Sequence, residues 1–559
     1  MKSHASLYRI ATSLVCLTAA AGLWVWSGCG DQPAPETPTV LYTGIIQDAE
    51  SGERIAASVH ITGLDGQTIV PVNTADSVRY LGKVWYYQDG VVTIPDAPEV
   101  FTIELRRGHE YLPLAETVDT RAGVQGTFAL RRWTHMLEQG WLSGDTHIHY
   151  LSQKSTMLRM QAEDLRVGNL LVSDFTHDRE KFIGKLDPVS TPEWQLYVGQ
   201  EFRDWDLGHI NLLRVREIVE PFEPYGGEFN GKGDDVNYVV TRVARAAHEQ
   251  DAVVTFAHFS DIPGIETPIM VANDDLDALD LITQSDPMGP VKHKRPWLYG
   301  GMSPSEFPEK RGIDLWYTFL NAGLDIPVSA GTDRMNDRIP IGSLRHYVKY
   351  SGNWNYDTWV EGVREGNGFI TNAPMLDFQV ENWSPGHKET FSSTRPRKFF
   401  TRVTAGSILP FDRLEIIRNG AVVAATDIPP QQDMDGVYRA HLALPIDVEE
   451  SSWLAARAVS ERDSSNMILP RNHTVFAHTN PIVVELGEEP VQQESARQYL
   501  AAWVRAALHF ADTRAKFKTP EEFSEFRQLA RRALVIYGAL SEEPVEAAGD
   551  TVLDGEAAQ

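Results

Sequence analysis

Cysteine is almost absent: the 559 residues hold two, Cys16 and Cys29, both within the first thirty positions. The rest of the chain therefore offers neither a disulfide nor a thiolate metal site, and any metal ion must be held by histidine and carboxylate. Positive charge is also short, with 51 Lys and Arg against 77 Asp and Glu and a formal net charge of -26. Nucleic acid and an anionic membrane face would both repel such a chain, which excludes them as main partners. The apolar run from Ile10 to Val25 is too short and too promptly ended for a spanning helix.

That run instead reads as an export signal, because Lys2 and Arg9 precede it. Ser27-Gly28-Cys29 resembles the lipobox of bacterial lipoproteins, with Trp26 where an aliphatic residue is usual. Residues 1–29 are thus expected to be a lipoprotein-type signal peptide and 30–39 a polar, Pro-rich tether. The expected location is the bacterial cell envelope, with membrane contact only through lipidated Cys29.

A chain of this length should divide into about three or four domains. Over 40–133, short alternating stretches such as Val91-Val92-Thr93-Ile94 and Phe101-Thr102-Ile103-Glu104-Leu105 predict an N-terminal β-sandwich, with His60 and His109 at its surface. Over 134–376, strand-like runs alternate with amphipathic stretches, which implies an α/β domain with parallel strands. Alternation returns over 377–488, where Arg413 to Arg418 precedes the turn pair Asn419-Gly420, and predicts a second β-sandwich. Leu500, Trp503, Ala507 and Phe510 recur at helical spacing, so 489–543 should be a helical hairpin and 544–559 a disordered tail.

The strongest chemical signal is Gly144-Asp145-Thr146-His147-Ile148-His149. At a strand end the two-residue period puts His147 and His149 on one face, with Asp145 two further back on the same side, so two imidazoles can share one metal ion. Later strand ends carry groups of matching type: Glu201, His209, His258 and Asp333. A mixed histidine and carboxylate set suits Zn, Mn or Fe. Asp174 is a candidate general base or a partner for a ligating histidine. Arg203, Arg334 and Arg345 are candidates for an anionic substrate group, while Thr371 and Asn372 are expected at the mouth.

The strings GDTHIH, LLVSD, GQEFRDWDLGHINLL, TFAH, SAGTD and GNGFITNAP resemble the CehA/McbA branch of the PHP (polymerase and histidinol phosphatase) superfamily of metal-dependent hydrolases. The resemblance implies a PHP-type distorted (β/α) barrel flanked by two β-sandwich domains and a C-terminal helical segment. It places the metal ligands at His147, His149, Glu201, His209, His258 and Asp333. His147, His149 and Asp333 would hold one divalent ion, His209 and His258 a second, and Glu201 would bridge.

Two such ions produce metal-activated hydroxide, so the implied reaction is hydrolysis of an ester, carbamate or phosphoester in a small-molecule or glycan-derived substrate, with Asp174, Glu201 and Arg334 as catalytic candidates. A reading from another class is a surface-anchored carbohydrate- or ligand-binding protein whose metal site is structural or vestigial. Many relatives place histidine directly after the aspartate matching Asp174 and two residues after that matching Asp333; here Phe175 and Met335 stand there. His177 is the nearest substitute. Two ions rather than three are therefore expected, with Phe175 and Met335 forming an apolar wall. His248, His293, His346 and His387 have no motif context and are assigned to the surface or to a hydrogen-bonded core.

Overall fold

The computed structural model describes residues 40–72, 76–80, 82–222, 236–283, 286–291, 310–426, 430–461 and 473–541. The signal segment with Cys16 and Cys29, the tether, His293 and the tail from 544 lie outside the described residues. The fold is mixed α/β, rich in strands and with few helices.

The first eight strands are β1 (Val40–Asp48), β2 (Ala57–Gly63), β3 (Ser77–Tyr80), β4 (Lys83–Gln88), β5 (Val91–Ala97), β6 (Val100–Arg106), β7 (Leu114–Asp119) and β8 (Gln125–Leu130). They make two sheets, in the orders β5-β1-β8 and β3-β4-β2-β6-β7. Strict alternation on β6 sends Phe101, Ile103 and Leu105 inward, where they meet Tyr42, Ile46 and Phe128. His60 and His109 are buried, contrary to the surface position expected from sequence. The reason is that β2 is covered on both faces: the His60 ring sits 5.7 Å from Trp85 and its Nδ1 bonds the Val84 carbonyl at 2.9 Å. His109 Nε2 bonds the Ser343 carbonyl at 3.2 Å, tying this region to the next.

Nine strands follow: β9 (Trp141–Ile148), β10 (Val167–Val172), β11 (Gln195–Asp204), β12 (Gly208–Leu213), β13 (Val253–Phe256), β14 (Ala278–Ile282), β15 (Val328–Ala330), β16 (Arg345–Lys349) and β17 (Gly368–Thr371). Their order is β15-β14-β13-β12-β11-β10-β9-β16-β17. Parallel strands are the expectation, yet β12 runs antiparallel to both β11 and β13, and β16 to both β9 and β17. A parallel neighbour needs a crossover of about a dozen residues, whereas Asp204 already pairs with Gly208 across the short turn between β11 and β12. The sheet curls so that the segment after β15 comes back to β9, an inner strand of the order, where Ile148 and Arg334 form a parallel bridge. Gly331 permits that approach, since a Cβ there would lie 2.8 Å from the His147 nitrogen.

The last nine strands are β18 (Met375–Val380), β19 (Lys388–Phe391), β20 (Arg397–Ser407), β21 (Arg413–Arg418), β22 (Ala421–Ala425), β23 (Tyr438–Val448), β24 (Ser452–Val459), β25 (Phe476–Thr479) and β26 (Ile482–Leu486). β18, β20 and β23 form a separate layer, but β25 pairs with β17, so β25, β24, β21 and β22 extend the central sheet. The second sandwich thus shares one of its two layers with the α/β region. Asn419 and Gly420 both take positive φ, at 49° and 85°, in the β21–β22 hairpin.

Helices Glu494–Thr513 and Pro520–Ile536 close the chain. The first buries Leu500, Trp503, Val504, Ala507 and Phe510 along one stripe. Thr519 caps the second by accepting from the Glu522 N–H. No helix among the described residues is long and apolar enough to cross a membrane.

A buried ion cluster clamps the first sandwich to the central region. Asp164 meets Arg107 at 3.0 Å, Arg132 at 2.8 Å and Arg166 at 3.1 Å, and Arg132 also reaches Glu110 at 2.6 Å. Burial opposes ionisation of Asp164, but the three guanidiniums outweigh it and hold its carboxyl below the usual range. A depressed carboxyl contributes its stability above the unfolded-state pKa of about 4 and loses it as pH falls below that. Asp164→Asn should therefore lower unfolding stability near neutral pH by about 3 to 5 kcal/mol, because it strands buried guanidiniums. Urea denaturation at pH 7 and at pH 3 checks this: the two proteins should differ clearly at pH 7 and less at pH 3.

Candidate metal centre

Six side chains converge where β9, β11 and β12 meet the exits of β13 and β15. His147 and His149 project from the end of β9, and their Nε2 atoms lie 2.8 Å apart with the rings crossed at 74°. His149 Nδ1 donates to the Leu171 carbonyl at 2.9 Å. A carbonyl only accepts, so the proton sits on Nδ1 and the Nε2 lone pair faces the cluster. Glu201, within β11, is 3.1 Å from His149 Nε2, 3.7 Å from His147 Nε2, 3.7 Å from His209 Nδ1 and 3.5 Å from His258 Nε2. Asp333 reaches His147 Nε2 at 3.6 Å and His258 Nε2 at 3.5 Å.

Two of these residues stand in strained backbone. His258 and Asp333 have φ of 44° and 42°, in the left-handed region that few residues other than glycine adopt. Such strain persists only where neighbours enforce it. At Asp333 it is Asp145 that does so: its buried carboxylate accepts from the N–H of His147 at 3.0 Å, the N–H of Thr332 at 2.9 Å, the Thr332 hydroxyl at 2.7 Å and the N–H of Gly342 at 2.9 Å. It thereby ties β9 to the turn that carries Asp333. Burial raises the Asp145 pKa to about 6 despite these bonds.

Beneath His147, Asn211 donates from Nδ2 to Asp280 at 2.8 Å and lies 3.4 Å from His147 Nδ1. Asp280 also accepts from the hydroxyls of Thr146 and Ser329. Sequence reading missed Asp145 as a brace and missed Asn211 and Asp280 altogether. The available signal was a lone polar residue inside apolar strand runs, His209-Ile210-Asn211-Leu212-Leu213 and Ala278-Leu279-Asp280-Leu281-Ile282.

The donor set fits a divalent cation. Both carboxylate oxygens of Glu201, both ring nitrogens of His209 and Nδ1 of His258 are buried without a hydrogen-bond partner among the described residues. Left so, a buried carboxylate is costly. Burial disfavours charge on His147, but Asp333 and Glu201 outweigh it and raise its pKa to about 9. Burial, with Arg203 and His258 beside it, keeps His209 neutral, as a metal ligand must be. Metal-competent groupings are His147, His149 and Asp333, and His147, Glu201 and His258.

The other candidates divide. Asp174 is buried, with Oδ1 accepting from the Phe175 N–H and the Ser173 hydroxyl and Oδ2 unpartnered; burial raises its pKa to about 6. Arg203 lies 3.8 Å from Glu201 and 4.3 Å from the centre of the Phe175 ring. Phe175 is half-buried and packs 5.1 Å from the His149 ring, and Met335 is half-buried. His177 is exposed and joins no metal-competent group.

Arg345, a candidate for binding an anionic substrate group, is instead fully buried, donating to the carbonyls of Gly342 and Glu163. Thr371 and Asn372 do not line a mouth: both are buried, bonding the carbonyls of Pro374 and Thr474 to fix the chain between β17 and β18. His248 and His387 pair with Asp277 and Glu389. His346 is buried with neither ring nitrogen hydrogen-bonded, and burial lowers its pKa to about 3. No family model matches the chain, and no curated protein matches it.

Glu201→Ala should remove metal from the centre, since the carboxylate that lies within 4 Å of all four histidines is lost. Elemental analysis after saturation with Zn and desalting checks this, and metal retained at the wild-type level would take Glu201 out of the site.

Proposed function

We propose that the chain is an exported metal-dependent hydrolase of the PHP type, related to the CehA/McbA branch, that holds two divalent ions and cleaves an ester, carbamate or phosphoester. What carries the reading is the convergence of His147, His149, Glu201, His209, His258 and Asp333, drawn from separate strands, on one buried cluster with unpartnered ligand atoms. The curled sheet and its Ile148–Arg334 bridge support a distorted barrel.

His147, His149 and Asp333 would hold one ion, and Glu201, His258 and His209 the other. Bound divalent metal supplies Lewis acidity at a carbonyl or phosphoryl oxygen and lowers the pKa of water. Asp174 then serves as proton acceptor, because burial brings its pKa to about 6, close to working pH. Arg203 lies against Phe175 and near Glu201, where its cation can face developing negative charge. Phe175, and Met335 with it, give the pocket an apolar wall that favours organic esters and carbamates over bare phosphate. Anchoring rests on Cys29, so Cys29→Ser should leave the membrane fraction; a processed variant still sedimenting with membranes would contradict it.

Hydrolysis of a panel of esters, carbamates and phosphoesters tests the activity. Chelation should abolish it and divalent metal restore it. The rate should rise with pH through about 6 as Asp174 loses its proton, and Asp174→Asn should lose that limb and about 100-fold or more in rate. Activity indifferent to chelator would overturn the reading, and metal-loaded protein that turns over nothing but binds glycans would favour the binding-protein alternative.

A further inference from the structure

Beside the metal centre, a cleft of about 400 Å³ opens between the first sandwich and the central region, lined by Asp76, Tyr150, Ser152, Ser155, Arg159 and Arg334 among others. Two of its walls belong to the metal cluster's own chain neighbours: Tyr150 follows His149, and Arg334 follows Asp333. The Tyr150 ring is 6.3 Å from that of His149 and 5.7 Å from that of Phe175.

The cleft is lined by two carboxylates and two guanidiniums, yet the ion pairs formed there leave Arg334 out. Its two carboxylates are already engaged: Asp76 meets Arg159 at 3.2 Å, and Asp337 meets Arg79 at 3.3 Å. Arg334 is 6% exposed, donates from Nη1 to the carbonyls of His149 and Tyr150, and keeps a buried Nε without a partner. Among the described residues no carboxylate lies in ion-pair range of it. Arg159 likewise keeps a buried, partnerless Nη1. The N-terminus of helix Gln153–Ala162 opens on the same cleft through Ser152 and Ser155, with no acidic side chain in its first turn. A helix N-terminus adds partial positive charge, although here Ser152 already accepts from the Ser155 N–H and the Ser155 hydroxyl donates to Asp76. A buried guanidinium without a counter-ion is costly unless a ligand supplies one.

We infer that this cleft is the subsite for an anionic end of the substrate, a carboxylate held by Arg334 and the helix N-terminus while the scissile ester or carbamate lies over the metal cluster. The inference rests on the hydrolase reading for the second half of that statement only. It narrows the substrate class to esters or carbamates bearing a free carboxylate a few bonds from the reacting carbonyl.

Two measurements on the full metal-loaded chain separate the subsite from the activity. Inorganic sulfate, as an anion probe, should raise the melting temperature of the wild type and fail to do so for Arg334→Gln. Monoesters of dicarboxylic acids should be hydrolysed with kcat/KM at least about tenfold above their neutral methyl diesters, and Arg334→Gln should erase that preference. Ser152→Asp supplies a second variant, because aspartate caps a helix well while adding repulsion at the cleft; it should lose both responses with the metal content of the wild type. Sulfate binding lost in both variants, with no ester hydrolysed, would keep the anion subsite and overturn the hydrolase reading. Sulfate response unchanged in both variants, or neutral diesters preferred, would overturn the subsite.

Discussion

Glu201 sets the terms for the rest of the molecule. Its carboxylate is almost wholly buried, with imidazoles of four histidines within 4 Å and no hydrogen-bond donor on either oxygen. Burial opposes its charge, but Arg203 and His147 outweigh that and hold the pKa well below the usual carboxylate range. An ionised buried carboxylate demands compensating positive charge, which without metal falls to Arg203 and a protonated His147, while neutral His209 supplies lone pairs and no charge. A divalent cation satisfies both Glu201 and the imidazoles at once.

Holding such a site open requires a rigid frame. Asp145 joins the β9 end to the Thr332 turn and to Gly342, and Asp280 joins β9, β12 and β15 through Thr146, Asn211 and Ser329. These carboxylates are themselves inside the fold, so their hydrogen bonds bind neighbouring strands in a low-dielectric interior where each is strong. The left-handed backbone at Asp333 is kept by this frame, which aims its side chain at His147 and His258.

Much of this was legible in the chain. The H-x-H pair at a strand end and the later Glu201, His209, His258 and Asp333 announced themselves because metal chemistry restricts residue type and strand period restricts direction. The Asn419-Gly420 hairpin and the stripe through Trp503 and Phe510 followed from local rules. What escaped depends on contacts distant in sequence. The antiparallel β12 was hidden because apolar strands read alike in either direction. The merging of the second sandwich with the central sheet rests on β17 pairing with β25, more than a hundred residues later. Thr371 and Asn372, expected at the mouth, and His60, expected outside, differ for the same reason: coverage by other segments decides burial.

The central claim is that one buried cluster of four histidines and two carboxylates is a metal centre. Anomalous diffraction from crystals soaked in Zn or Mn tests it most directly. The account predicts anomalous peaks among His147, His149, Glu201, His209, His258 and Asp333, with Glu201 adjoining the density. Crystals that take up the ion only at surface carboxylates, leaving that cluster without a peak, would contradict it.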